Sequence, residues 1–488
     1  MSLARKAAGG ALWASGATLG SRLVTIASTF VLTRFLAPSV QGEVNLAFVL
    51  LATAGAASSL GVQQFIVAHP TEERETTFHG TVMVLALGVL VCLACVFAAP
   101  YLGAWIHVPG MARYVPGMAL SHFIDRCGWT PRGVLLREMR FRAASLCAAA
   151  GELTFAVSSV LFARAGRGGD AIVAGNIARS LVVLGLFVAM TNARDYLSPS
   201  RLSMERAKKI LRFGMPLAIA NLFAIGATSW DNSFMGYRFG EALVGLYNQA
   251  YRLAELPLTT VADPMNDVLV PALARTQDLE ARRRGFLRAA SLMALVEFPM
   301  CVGLSVIAPA MVQVFYPKTY GGVAPLLVVL GPLSMARSLN RLAGAFLQVA
   351  NRTRTFMWID LARVIAVLGS MAALSVLGPT WSAIGVVLAY FVILRLTLGV
   401  LREEGIPVAA TLRAVMRPFF ACAPMAAVVI AAHRLLSPHD LRAPVLLGVE
   451  LVLGAITYVG SALVIAPKES RELTDLGRSL LARRREKA

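Results

Sequence analysis

Runs of eighteen or more mostly apolar residues recur along the whole chain, separated by short polar connections. Each run is long enough to cross a bilayer as a helix, and a helix satisfies its own backbone in lipid. The ten-residue alternation of a membrane barrel is absent. The pattern predicts an all-α polytopic membrane protein with about fourteen transmembrane helices. The first six fall near residues 11–37, 43–68, 79–100, 112–131, 145–165 and 170–191. The next six fall near 213–237, 243–268, 286–310, 322–350, 356–377 and 380–400, and two more near 415–434 and 444–466. Arg5 and Lys6 precede an apolar stretch too long for a signal-peptide core, so the first run is expected to remain as a span.

One local pattern occurs twice. Residues 34–48 read RFLAPSVQGEVNLAF and residues 238–251 read RFGEALVGLYNQAY. Gly42, Asn45 and Phe48 match Gly245, Asn248 and Tyr251, about 203 residues apart. Each copy follows one apolar run and opens the next. The period holds six spans, an even number, so two six-helix lobes are expected to run parallel across the membrane. The expected organisation is an N-terminal lobe over 1–200, a C-terminal lobe over 201–404, two further helices over 405–466 and a basic tail over 467–488.

Composition agrees with a membrane protein: 57% of the 488 residues are hydrophobic and only 15% charged, with a mean hydropathy of +0.67. The net charge of +19 would suggest nucleic acid in a soluble protein. Here the basic residues gather in short loops, namely 132–142, 194–212, 275–288 and the tail, with no aromatic interleaving. That asymmetry places both termini in the cytoplasm. The tail is read either as a short amphipathic helix on anionic lipid or as a solvated segment. Cys92 and Cys95 form a CxxC without a nearby ligand partner. Like Cys127, Cys147, Cys301 and Cys422 they read as packing residues.

Charged residues inside the apolar runs are the candidates for function. An ionised side chain at mid-bilayer costs from about 2.5 kcal/mol upward, so it faces a wet cavity or a partner. Arg22, Arg179, Arg337 and Arg341 are central in their runs and have no acid within one helical turn. Arg337, Asn340 and Arg341 share a helical face. Arg252 and Glu255 lie one turn apart, as do Asp360 and Arg363, and both sets also read as structural pairs. Arg22, Arg179, Arg252, Arg337 and Arg341 are expected to line a cavity and bind an anion, since guanidinium groups grip phosphate bidentately. Asp231 and Glu297 are the candidates for Na⁺ or H⁺ coupling. Asp263 is expected at the frayed end of the eighth span. His122, Asp125 and Arg126 form at most a small polar cluster at one end of the fourth.

Catalytic signatures are missing: there is no HExxH, no GxxxxGK[ST] and no GxSxG. No enzymatic activity and no cofactor are expected.

Residues 230–275 carry a family resemblance. Asp231-Asn232 is followed by Tyr237-Arg238-Phe239, by Gly245-Leu246-Tyr247-Asn248, by Ala250-Tyr251-Arg252 and by Pro271-Ala272-Leu273. This series resembles bacterial polysaccharide flippases, the polysaccharide-transporter branch of the multidrug/oligosaccharidyl-lipid/polysaccharide exporter superfamily. Residues 131–142 and the N-terminal stretch from Gly10 to Pro38 are similar too. The resemblance implies a two-lobed bundle that flips lipid-linked oligosaccharide, typically on undecaprenyl pyrophosphate, across the cytoplasmic membrane by alternating access. Proteins of polysaccharide biosynthesis and polymerisation are then expected partners. Three alternatives remain open: a cation-coupled multidrug exporter, which calls for central acids and aromatics; a polysaccharide polymerase or ligase, which calls for a large extracytoplasmic loop; and a membrane scaffold that partners a biosynthetic complex through its basic tail.

Overall fold

The computed structural model describes residue 20 and residues 24–68, 74–266, 269, 273, 276, 278–350, 352–436 and 442–485. Among these residues all regular structure is helical and there is no strand. Large apolar side chains point outward rather than inward: Leu90 is 63% exposed, Phe97 73% and Val464 79%. In water such a surface would aggregate; in lipid it is the solvated face. The chain is a multi-pass membrane protein.

The first half comprises α1 (Val24–Thr33), α2 (Pro38–Ala57), α3 (Val62–Ala68), α4 (Arg74–Trp105), α5 (Val115–Cys127), α6 (Trp129–Arg137), α7 (Phe141–Arg164), α8 (Asp170–Met190), α9 (Arg194–Leu197), α10 (Met204–Phe239) and α11 (Glu241–Ala254). The second comprises α12 (Leu279–Phe315), α13 (Val323–Leu330), α14 (Leu333–Val349), α15 (Thr353–Leu374), α16 (Pro379–Glu403), α17 (Val408–Leu436), α18 (Ala443–Ile465) and α19 (Pro467–Arg485).

Among the described residues, eleven helices are long and apolar enough to cross a membrane, against the fourteen expected. The other three expected spans each depart for a visible reason. The first is described only at residue 20 and from Val24, where α1 is short. The fourth divides at Gly128 into α5 and α6. The eighth stops as an α-helix at Ala254 and continues past Pro257 as a π turn over Leu258–Ala262. Proline lacks the amide that would continue the regular ladder, and a π turn absorbs the missing bond.

The fold separates into two compact units, Met1–Asn248 and Gln249–Ala488. In the first, α7 pairs with α8, α5 packs on both α4 and α8, and α2 lies along α10. Leu60, Val62, Phe65, Ile66, Val84 and Ile210 form an apolar cluster beneath α3. In the second, α15 pairs with α16 and α17 with α18, while α12 runs against the latter pair. Asp278 caps α12 by accepting from the amides of Glu280 and Ala281, both at 3.1 Å. The tail helix α19 is docked by Ser470, which donates to the Ala462 carbonyl at 3.1 Å, and by a Glu472–Arg288 ion pair. Residues 486–488 and the side chains beyond Arg478 lie outside the described residues.

Candidate functional site

Helix α14 is buried on nearly all sides, from Leu333 to Leu347. A helix with that position is usually apolar throughout, yet it carries Ser334, Arg337, Ser338, Asn340 and Arg341. Each polar group therefore needs a partner on a neighbouring helix. Arg337 is 6% exposed. Its Nη1 donates to Glu255 Oε1 at 2.5 Å and to the Tyr251 hydroxyl at 2.9 Å. The guanidinium also lies 5.4 Å from the Tyr251 ring centroid and 5.6 Å from that of Tyr390 on α16. Arg363 approaches the same Tyr390 ring at 5.8 Å while holding Asp360 at 2.6 Å. One aromatic ring thus serves two cations.

Asn340 meets the backbone of the same Tyr390, its Nδ2 donating to the Tyr390 carbonyl at 3.4 Å. Its Oδ1 accepts from Thr397 at 2.9 Å and its Nδ2 donates to the Ala336 carbonyl at 2.9 Å, which ties α14 to α16. Arg341 is about half exposed and paired with Asp263. Asp263 is therefore an ion-pair partner, not simply a frayed helix end. Glu255, one turn from Arg252 in sequence, gives its carboxylate to Arg337 instead, and Arg252 is exposed. Glu297 on α12 is fully buried; Ser338 donates to its Oε1, and its Oε2 has no partner among the described residues.

In the first unit Arg179 bridges two carboxylates, Glu152 Oε1 at 3.2 Å and Asp125 Oδ2 at 3.3 Å. Thr25 donates to the other Glu152 oxygen at 2.9 Å. Arg22 lies outside the described residues. Arg179, Arg337 and Arg341 each meet an acid from another helix, so the sequence criterion of an unpaired cation does not hold for them. Their partners are Glu152 in the first unit and Glu255 and Asp263 in the second, none of which single-helix reasoning could assign. Sequence reasoning also passed over His433, whose Nδ1 stands 2.7 Å from the fully buried Glu450. No local spacing signalled that contact.

Asp231 is 1% exposed on α10. Its Oδ1 accepts from the Asn232 amide at 2.8 Å and from Asn232 Nδ2 at 3.0 Å, and its Oδ2 accepts from Tyr247 at 2.8 Å. The Asn232 carbonyl oxygen in turn accepts from Asn45 at 3.1 Å and from Asn248 at 3.5 Å. Those two asparagines are the matched residues of the repeated motif. The matched glycines meet as well. A Cβ on Gly42 would fall on the Glu241 carbonyl, and a Cβ on Gly245 would fall on the Pro38 carbonyl. The contact is reciprocal: each copy offers its glycine to the first turn of the other.

A helical bundle with buried ion pairs is common to many membrane proteins; the match of residues 31–325 to the family model described as polysaccharide biosynthesis protein is specific. The chain belongs to the polysaccharide biosynthesis protein family. Relatives within reach are consistent. The lipopolysaccharide biosynthesis protein WzxC of Escherichia coli is 24% identical over 82% of this chain and 83% of its own. The succinoglycan biosynthesis transport protein ExoT of Rhizobium meliloti is 24% identical over 95% and 93%. Among solved structures, the lipid II flippase MurJ in an inward closed conformation superposes with a TM-score of 0.75. That match covers 94% of this chain and 99% of MurJ at 12% identity. At that identity the likeness establishes the fold alone. The family assignment agrees with the resemblance carried by residues 230–275.

Proposed function

We propose that this protein flips a lipid-linked oligosaccharide, a polysaccharide repeat unit on a polyprenyl pyrophosphate, from the inner to the outer face of the cytoplasmic membrane. The observation that carries the reading is the family match over residues 31–325 on a chain whose fold is that of a lipid flippase. The relatives named for lipopolysaccharide biosynthesis and succinoglycan transport point to the same substrate class. Translocation proceeds by alternating access, with both termini in the cytoplasm as the basic loops favour.

Arg252 and Arg341 are the cations best disposed to meet pyrophosphate, since both are substantially exposed. Water reaches the Arg341–Asp263 pair, whose side chains are 48% and 24% exposed, so it is weaker than the buried Arg337–Glu255 pair and an incoming phosphate can replace the carboxylate. Arg337 and Arg179, held in buried or half-buried networks, position the surrounding helices and join the anion only if their acids move. Glu297, with one carboxylate oxygen unpartnered among the described residues, suits proton or Na⁺ coupling better than Asp231, both of whose oxygens accept hydrogen bonds. An inside-negative potential assists the outward step by about 2.3 kcal/mol per charge per 100 mV if the whole field is crossed.

Depletion of the protein in its host tests the reading. Lipid-linked oligosaccharide should accumulate on the inner leaflet while surface polysaccharide falls. Unchanged surface polysaccharide with no trapped intermediate would overturn it.

A further inference from the structure

Arg126 lies on α5 in the first unit with 1% of its surface exposed. A guanidinium stays ionised in proteins, so a full positive charge is buried there. Its Nη2 donates to the Gly55 carbonyl at 3.1 Å and to Ser58 Oγ, and the group lies 5.1 Å from the Trp129 ring centroid. Nε and Nη1 are buried with no hydrogen-bond partner among the described residues. Among the described residues, the ionisable groups that act on this charge are the Cys92 and Cys95 thiols on α4 and the His122 ring one turn earlier on α5, and none of these is a carboxylate. Arg126 thus satisfies the criterion that Arg179, Arg337 and Arg341 fail.

His122 adds a second deficit at the same place. Its Nε2 is buried and also unpartnered among the described residues. A Cβ on Gly55 would touch His122 Nε2 and stand 3.6 Å from Arg126 Nη2, so the two side chains converge on the groove that this glycine leaves. On the other side, a Cβ on Gly88 of α4 would stand 2.9 Å from Arg126 Cδ and 3.6 Å from Nη1. Missing Cβ atoms on α2 and α4 therefore make room around the guanidinium. Buried donors without acceptors are rare in folded proteins, and a buried charge without a counter-charge is more costly still. A single small anion at the Nε edge corrects both: it accepts from Arg126 Nε and from His122 in its Nε2–H tautomer, and it balances the charge.

We propose that α2, α4 and α5 enclose a site for one small inorganic anion of the halide class, held by Arg126 and His122. Its role is that of a resident counter-ion for the first unit, separate from any transported pyrophosphate, and it stands whether or not the protein is a flippase.

The test uses the purified full-length protein. Its thermal unfolding is followed as sodium gluconate is replaced by sodium chloride at constant ionic strength, gluconate being too large for a closed groove. The wild type should gain on the order of 2 °C in Tm for each tenfold rise in chloride above the dissociation constant. Arg126→Met should abolish that dependence, and His122→Phe should weaken it. Crystals of the wild type grown in bromide should show an anomalous peak beside Arg126 Nε. The same chloride response in wild type and Arg126→Met would overturn the proposal. So would the absence of a bromide peak at Arg126, an outcome that stands even if the Met variant does not fold.

Discussion

The Arg337–Glu255 contact separates a scaffold role from a binding role, and its two ends predict unequal damage. Glu255→Gln leaves a guanidinium at 6% exposure without its carboxylate, keeping only the Tyr251 hydroxyl and two aromatic rings. Arginine cannot shed its proton to escape, so the loss should fall near the upper end of the roughly 3–5 kcal/mol seen when one partner of a buried pair is removed. Arg337→Gln leaves Glu255 at 30% side-chain exposure, where water reaches the carboxylate. That loss should fall at or below the lower end, about 2–3 kcal/mol. The double variant places two neutral amides side by side and should recover at least about 1.5 kcal/mol relative to additivity. Denaturant unfolding of the purified proteins in one detergent measures the cycle. Additive losses within about 0.5 kcal/mol, or Arg337→Gln more damaging than Glu255→Gln, would refute the reasoning. Transport adds a second reading: a double variant that regains stability and still fails to export polysaccharide assigns Arg337 to the substrate, whereas recovered export makes it a scaffold residue.

Two further predictions follow from the repeated corner. Gly42→Ala or Gly245→Ala drives a methyl into a backbone carbonyl and should destabilise by about 1–3 kcal/mol despite alanine's better helix propensity, whereas Gly448→Ala on α18, with open space around its Cβ, should stabilise by up to about 1 kcal/mol; thermal unfolding of the three variants checks the contrast. Tyr247→Phe removes a hydroxyl from the buried Asp231 carboxylate and should lose about 1.5–3 kcal/mol, most of it regained on adding Asp231→Asn, as unfolding midpoints of the single and double variants would show.

Helices were legible because lipid imposes their length on the sequence: apolar runs at 79–100 or 444–466 admit few other readings. The interruptions were less legible. Pro257 is visible in the chain, but whether proline kinks, ends or loosens a helix into a π turn depends on what packs around it. Partners of the cations within the apolar runs were not legible at all. Arg337 finds its acid 82 positions away, Arg341 finds one 78 away, and Arg179 finds its two at 54 and 27. A window of one helical turn cannot see such contacts, so spacing marked these arginines as unpaired and read Arg126 only as part of a small polar cluster. The repeat was legible as a pattern; that its two copies touch was not, since duplication alone leaves the distance between copies unspecified.

The reciprocal glycine crossing also limits how this corner can change by mutation. When a new side chain collides with another side chain, a second substitution at the neighbour can restore the fit. At Gly42 and Gly245 the obstacle is a peptide carbonyl, at Glu241 and Pro38 respectively, and no substitution removes a carbonyl. A selection for suppressors of Gly42→Ala should therefore yield reversion, or changes that shift a whole helix, but no compensating exchange at residue 241. The doubled motif keeps its glycines because each copy is the other's template.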